Sequence, residues 1–198
     1  MKYKFVLPLF LIVLLIGSSQ SVSFAEGFSE YMVFKYGTYS PSAEYDINNV
    51  NVDIRSGFDA EIAVGHYYNP MFALELGSGY FEGKGSPAAQ PGEIKLKVVP
   101  ILLTAKAFLP MGPIIEPYGA FGIGYYITKL KGSGFGPSFS DDREDVVGLH
   151  AGAGLNINIA PDLFLGVEGR YIWAEPEFGG EDIKIDGFIV TADLGFRF

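Results

Sequence analysis

Side chains in this sequence alternate between two chemistries at every second residue, in one segment after another. That period fits a strand whose two faces meet different surroundings, and a helix would mix the two sets on every face. The run from Val146 to Ala160 is the clearest. Val147, Leu149, Ala151, Ala153, Leu155, Ile157 and Ile159 share one face, while Gly148, His150, Gly152, Gly154, Asn156 and Asn158 share the other. Between Leu163 and Trp173, Leu163, Leu165, Val167, Tyr171 and Trp173 oppose Gly166, Glu168 and Arg170. At the end of the chain Phe188, Val190, Ala192, Leu194, Phe196 and Phe198 oppose Thr191, Asp193, Gly195 and Arg197. Five earlier segments read the same way, around Met32–Tyr36, Phe58–Gly65, Leu74–Tyr80, Val99–Ala107 and Phe121–Thr128. Eight strands are expected.

The first 25 residues stand outside this pattern. Lys2 and Lys4 precede an unbroken apolar run, Phe5–Ile16, and small polar residues then lead to Ser23-Phe24-Ala25. A basic start, an apolar stretch too short to span a bilayer comfortably and a small-x-small site describe a cleaved secretion signal. We therefore expect residues 1–25 to be a signal peptide and residues 26–198 to form one domain. The full chain carries 14 Lys+Arg against 23 Asp+Glu. Without Lys2 and Lys4 the balance is 12 against 23, or −11. Such acidity argues against nucleic acid as a partner. The absence of cysteine removes disulfides, thiolate metal sites and thiol catalysis.

A water-soluble β-protein turns its apolar faces inward. Three features reverse that here. Connections alternate in length: Tyr68-Asn69-Pro70, Met111-Gly112-Pro113 and Ala160-Pro161-Asp162 are tight, whereas residues 40–56, 83–93, 131–145 and 175–186 are long and polar. Aromatics gather at segment ends. Tyr36, Tyr39, Tyr80, Tyr125, Tyr126, Tyr171 and Trp173 lie toward the long links. Phe28, Tyr67, Tyr68, Phe72, Phe108, Tyr118, Phe196 and Phe198 lie toward the tight turns, as two interfacial girdles require. The strand count is even. The expected fold is all-β: a closed, eight-stranded, antiparallel, up-and-down transmembrane β-barrel, which pairs every backbone group and leaves no edge.

The final segment, Val190-x-Ala192-x-Leu194-x-Phe196-x-Phe198, and the stretch Glu116-Pro117-Tyr118-Gly119-Ala120-Phe121-Gly122-Ile123-Gly124-Tyr125 make the chain similar to the small eight-stranded outer-membrane barrels of Gram-negative bacteria, the OmpA/OmpX/OmpW-type superfamily. The resemblance covers essentially all of residues 26–198. It implies residence in the bacterial outer membrane, with short periplasmic turns and longer extracellular loops. It also implies that Val190, Ala192, Leu194, Phe196 and Phe198 act as an insertion signal for the barrel-assembly machinery, and that outer-membrane lipid and lipopolysaccharide are neighbours. It does not imply one activity, because the superfamily holds anchors, adhesins, narrow channels and enzymes.

Strand parity sends Lys35, Lys106, Arg170 and Arg197 into the lumen with Asp59, Glu61, Glu75, Glu168 and Asp193. An eight-stranded interior is just wide enough for its own side chains. Four cations against five acids there suit a self-satisfying charge network that plugs the barrel and fixes register. Glycines thin one wall (Gly122, Gly124, Gly148, Gly152, Gly154), and the expectation is that they make room for long Glu and Arg side chains. Ile94, Leu96, Val98, Pro100 and Leu102 share the parity of Lys106 and line the upper lumen. That is the feature an OmpW-like path for a small apolar ligand needs.

Other chemistry is thin. His150 falls on the inward face as a structural group, with no nucleophile sharing that face. His66 falls outward near a tight turn. Asp141-Asp142-Arg143-Glu144-Asp145 and Glu175, Glu177, Glu181 and Asp182 form acidic clusters without calcium-loop spacing, so solvated loop charge is expected. Gly132-Ser-Gly134-Phe-Gly136-Pro137 lacks the lysine and helix of a phosphate loop. No catalytic residue, cofactor or metal is expected. The reading is a non-catalytic envelope protein with a structural or surface-contact role. The alternative is a narrow, porin-like channel or carrier for small hydrophobic molecules.

Overall fold

The computed structural model describes residues 29–42, 45–47, 50–87, 93–109, 111–133, 142–175, 177–178, 181–182 and 185–198. Twelve strands follow in chain order: β1 (Glu30–Pro41), β2 (Tyr45–Ile47), β3 (Val50–Arg55), β4 (Gly57–Asn69), β5 (Phe72–Pro87), β6 (Glu93–Phe108), β7 (Ile115–Ser133), β8 (Asp142–Ala160), β9 (Leu163–Trp173), β10 (Glu177–Phe178), β11 (Glu181–Asp182) and β12 (Gly187–Arg197). Eight of them close a cylinder in the order β1, β4, β5, β6, β7, β8, β9, β12, each antiparallel to the next. The seam from β12 back to β1 runs from Tyr31↔Arg197 to Pro41↔Gly187. Its short-turn end is sealed by Phe198 N donating to Glu30 O (2.9 Å) and Glu30 N donating to Phe198 O (3.3 Å).

The tight turns follow from their residues. Asn69 caps the β4–β5 turn by accepting the Met71 amide at 2.9 Å through its side chain. Gly112, at φ +101°, supplies the positive backbone angle of the β6–β7 turn. Pro161 and Asp162 join β8 to β9.

Burial alternates residue by residue and in the inverted sense. Phe34, Ile62, Leu103, Phe121, Val147, Val167 and Leu194 are exposed, whereas Lys35, Glu61, Glu75, Lys106, Glu168 and Arg170 are buried. The cylinder is greasy outside and charged within. No helix among the described residues is long and apolar enough to cross a membrane.

The long links depart from the sequence reading, because much of them is strand. Residues 40–56 include β2 and β3, and β3 pairs with β5 from Val52↔Pro87 to Arg55↔Lys84. β7 and β8 keep pairing up to Leu130↔Asp142, and β6 and β7 up to Glu93↔Ser133. A spanning strand needs only about 9–11 residues, so these 19-residue strands continue beyond the apolar band as ribbons. Residues 1–28, and with them the signal-peptide reading and Phe28, lie outside the described residues.

Five residues assigned to the aromatic girdles sit inside the barrel instead, Tyr67 among them. Tyr39 and Tyr126 are fully buried near the long-loop end, and Phe108 and Tyr118 are buried near the short-turn end. Tyr67 is half-buried beside them, its ring 5.0 Å from that of Tyr31 and 5.4 Å from that of Phe108. Proximity to a strand end suggests a girdle, but parity decides the face. Outward aromatics remain at both ends, among them Tyr36, Tyr125 and Trp173 above and Tyr68, Phe196 and Phe198 below.

Candidate functional site: the stratified lumen

The lumen is filled in three layers. Toward the long loops, Tyr39, Phe81, Leu96, Val98, Leu102, Tyr126, Ile172, Ala174, Ile185 and Ile189 form one buried apolar cluster. Toward the short turns, Tyr31, Val33, Ala63, Ala73, Phe108, Tyr118, Ala120 and Phe164 form a second. Between them lies the charge layer.

That layer is a closed ring of alternating sign. Arg170 grips Glu61 through both terminal nitrogens, Nη2 to Oε2 at 2.5 Å and Nη1 to Oε1 at 3.4 Å. Glu61 Oε1 lies 3.7 Å from Lys35 Nζ, which lies 3.1 Å from Glu75 Oε1. Glu75 Oε2 meets Lys106 Nζ at 2.7 Å, Lys106 meets Glu168 Oε2 at 3.3 Å, and Glu168 Oε1 returns to Arg170 Nη1 at 3.7 Å. Lys35 also crosses the ring to Glu168 Oε2 at 3.0 Å. Three cations and three carboxylates from β1, β4, β5, β6 and β9 therefore neutralise one another. None of the six side chains exposes more than 5% of its surface. A buried charge is tolerable only when paired in this way.

Two tyrosines tie the ring to the lower apolar layer. The Tyr31 hydroxyl donates to Glu75 Oε2 and the Tyr118 hydroxyl to Glu168 Oε2, both at 2.8 Å. Lys106 Nζ also stands 4.6 Å above the Tyr118 ring. Sequence reasoning missed both. Their parity matches that of Lys35 and Gly122, and carrying the alternation to the strand ends reveals them.

Three of the nine charges expected in the network stand apart from the ring. Asp59 is buried with its Oδ2 unpartnered. Asp193 is buried and accepts from the Thr191 hydroxyl at 2.7 Å. Arg197 faces the lumen at its short-turn mouth, where it donates to Glu116 Oε2 (2.7 Å) and Asn158 Oδ1 (2.9 Å) and lies 4.7 Å from the Phe164 ring. Sequence reasoning overlooks Glu116 because it opens its strand, where alternation has barely begun.

The glycine wall seats rings rather than long Glu and Arg chains. A Cβ on Gly124 or Gly148 would meet Tyr126, one on Gly154 would meet Tyr118, and one on Gly122 would meet His150. Gly152 is the exception, facing Arg170. His150 is fully buried, and its Nε2 lies 2.8 Å from Thr104 Oγ1. His66 faces outward, its ring edge-on to Tyr68 at 4.8 Å and its Nδ1 3.9 Å from Glu30. Leu96, Val98, Pro100 and Leu102 line the upper lumen, and the side chain of Ile94 lies outside the described set. So do the side chains of Asp141, Asp142, Arg143, Glu177, Glu181 and Asp182. Groups of three metal-ligating side chains are absent among the described residues.

The sequence matches the outer membrane protein beta-barrel domain over residues 9–198. No curated protein matches it. Solved structures share its fold at low identity. The outer membrane protein OprG of Pseudomonas aeruginosa is 14% identical, with a TM-score of 0.60, covering 87% of this chain and 97% of that one. Neisserial surface protein A is 17% identical, with a TM-score of 0.58 over 89% of this chain and 100% of that one. A major outer membrane protein of Thermus thermophilus is 11% identical, at 0.53 over 86% and 100%. With the match spanning nearly its whole length, the chain belongs to the outer membrane protein beta-barrel domain family.

Proposed function

We propose that this chain is a non-catalytic, closed barrel of the bacterial outer membrane whose role is to hold its extracellular ribbons and loops at the cell surface. One observation carries the reading: the charge ring spans the lumen, with an apolar layer on each side of it. An ion crossing that path must leave water twice and break paired charges once, and each step costs several kcal/mol. Purified protein in a planar bilayer is expected to give no steady conductance, and liposomes carrying it are expected not to swell in small sugars. Discrete conductance that Arg170→Ala alters would overturn the reading.

A second reading, a carrier for small apolar molecules, has one observation in its favour. The β5–β6 ladder is interrupted between Ser78↔Ile101 and Phe81↔Val98, where Pro100 has no amide to donate. Ser78 Oγ spans the gap by donating to Pro100 O at 3.0 Å. The gap lies beside the upper apolar layer, so displacement of Leu102 or Phe81 opens a sideways exit into lipid. Uptake of a hydrophobic dye into liposomes, reduced by Pro100→Val, would favour the carrier. Uptake equal to that of empty liposomes would dismiss it.

A further inference from the structure

Three cations face five carboxylates among the described charges buried in the lumen. The ring uses three of those carboxylates. Asp193 stands opposite Lys35 in register and has a hydroxyl donor of its own. Asp59 is left over. It is 1% exposed and its Oδ2 meets no donor, although burying a charge without a partner is costly. Arg170 acts on it more strongly than any other charge, yet Arg170 spends both terminal nitrogens on Glu61.

The surroundings of Asp59 are aromatic. In register it sits between Gly37 and Phe81, and Tyr39, one inward position above Gly37, holds its ring 4.6 Å from that of Phe81. Both rings are fully buried. Across the lumen, four strands away around the cylinder, β8 presents His150, and β7 beside it presents Tyr126. His150 Nδ1, the Tyr126 hydroxyl and Arg170 Nε are all buried without partners. Arg170 is the charge that acts most strongly on His150 and Tyr126 as well as on Asp59, which places the three around one guanidinium. Interior polar atoms are rarely left unpaired, and four in one place outline a guest. Asp59 accepts only, the hydroxyl and the imidazole nitrogen can accept, and the rings offer π faces. A primary ammonium, with one positive charge and three N–H donors, matches that set.

We propose that the upper lumen is a blind chamber that binds a small primary ammonium carrying a hydroxyl. The ammonium donates to Asp59 Oδ2, the Tyr126 hydroxyl and His150 Nδ1, against the faces of Tyr39 and Phe81. His150 Nε2 then donates to Thr104 Oγ1, and the hydroxyl of the guest accepts from Arg170 Nε. The approach is from the long-loop end, where Ile185 covers the chamber. Its amide donates to Ala174 O at 2.9 Å and its carbonyl accepts from the Tyr39 hydroxyl at 3.1 Å, so lifting it breaks no ladder bond between barrel strands. Below, the charge ring stops the guest.

The test titrates the whole barrel in zwitterionic micelles with 2-aminoethanol at neutral pH and follows the backbone amides of Gly37 and Phe81. A saturable shift is expected, with a midpoint of about 0.1–1 mM for four non-hydrogen atoms. Ethanol, which lacks the charge, and tetramethylammonium, which lacks the N–H donors, are expected to leave those amides unmoved. Asp59→Asn is expected to weaken binding about thirtyfold or more, and Phe81→Leu about tenfold. Without the amine, Asp59→Asn should melt no lower than the parent, because an uncompensated charge is gone; a purely structural Asp59 predicts a fall. No saturable shift, an unchanged midpoint in Asp59→Asn, or displacement by an equal concentration of potassium would overturn the site. Conductance plays no part in this test, so its failure leaves the closed-barrel reading standing.

Discussion

Replacing Lys35 by methionine tests whether the charge ring acts as a unit. Methionine keeps most of the stem volume, so packing changes little and electrostatics decides the outcome. Lys35 Nζ lies within 3.0, 3.1 and 3.7 Å of Glu168, Glu75 and Glu61, on a side chain with no exposed surface. Its loss leaves three carboxylates facing two cations. One uncompensated charge in a space closed above and below by apolar side chains costs about 3–5 kcal/mol. That is a large share of the roughly 5–15 kcal/mol that holds a typical domain together. Adding Glu168→Leu restores balance and leaves two short pairs intact, Lys106–Glu75 at 2.7 Å and Arg170–Glu61 at 2.5 Å. The double variant still orphans the Tyr118 hydroxyl, which costs about 1–3 kcal/mol. It is therefore expected to be more stable than the sum of the two single losses, with a coupling of about 2–3 kcal/mol. Urea unfolding from lipid vesicles measures this through Trp173, the chain's single tryptophan, exposed on the outer wall. Strictly additive losses, or single variants as stable as the parent, would refute the ring as a cooperative unit.

Three further outcomes follow from the same geometry. Gly154→Val drives a side chain into the Tyr118 ring and pulls its hydroxyl from Glu168, so a loss of about 1–3 kcal/mol is expected in the same unfolding assay. Arg197→Ala should cost only about 1 kcal/mol, because its partner Glu116 is 24% exposed and water replaces the lost contact. Deleting Phe198 removes the two backbone hydrogen bonds that seal the β1–β12 seam. Its effect should appear as a reduced yield of membrane-inserted, heat-modifiable barrel, and normal yield would count against the terminal-signal reading.

The eight barrel strands, their inward and outward faces and the location of the buried charges are legible in the sequence because a period of two is a property of one strand. The ring is not. Arg170 meets Glu61 across 109 positions, and that meeting depends on the stagger of strands around the cylinder, which no single segment encodes. Tyr39, Tyr126, Phe108 and Tyr118 read as girdle residues from their place along the strands, although each shares parity with a lumen residue. The ribbons beyond the membrane are hidden for a different reason. Above the apolar band the outward positions turn polar at Lys95, Lys97 and Lys129 while Leu96 and Thr128 stay buried, so the apolar-outward alternation that identifies β4 through β9 stops there while the hydrogen-bonded ladder continues.

What the ring contributes is better measured as specificity than as stability. Well-packed apolar side chains of similar volume are often as stabilising as buried ion pairs, or more so. Register is another matter, because an apolar lumen matches itself after a slip of two residues along any strand. With the ring in place, a two-residue slip of β5 against β6 that sets Glu75 opposite Leu102 instead of Thr104 moves it away from Lys106 and breaks that 2.7 Å pair. The six substitutions Lys35→Met, Glu61→Leu, Glu75→Leu, Lys106→Met, Glu168→Leu and Arg170→Met, with Tyr31→Phe and Tyr118→Phe to leave no stranded hydroxyl, are thus expected to keep the strand content seen by circular dichroism. They are also expected to multiply or broaden the backbone amide signals in micelles as several registers coexist. A single sharp set of amide signals from that variant would show that the strand pairings alone fix the stagger, and that the charges add nothing to it.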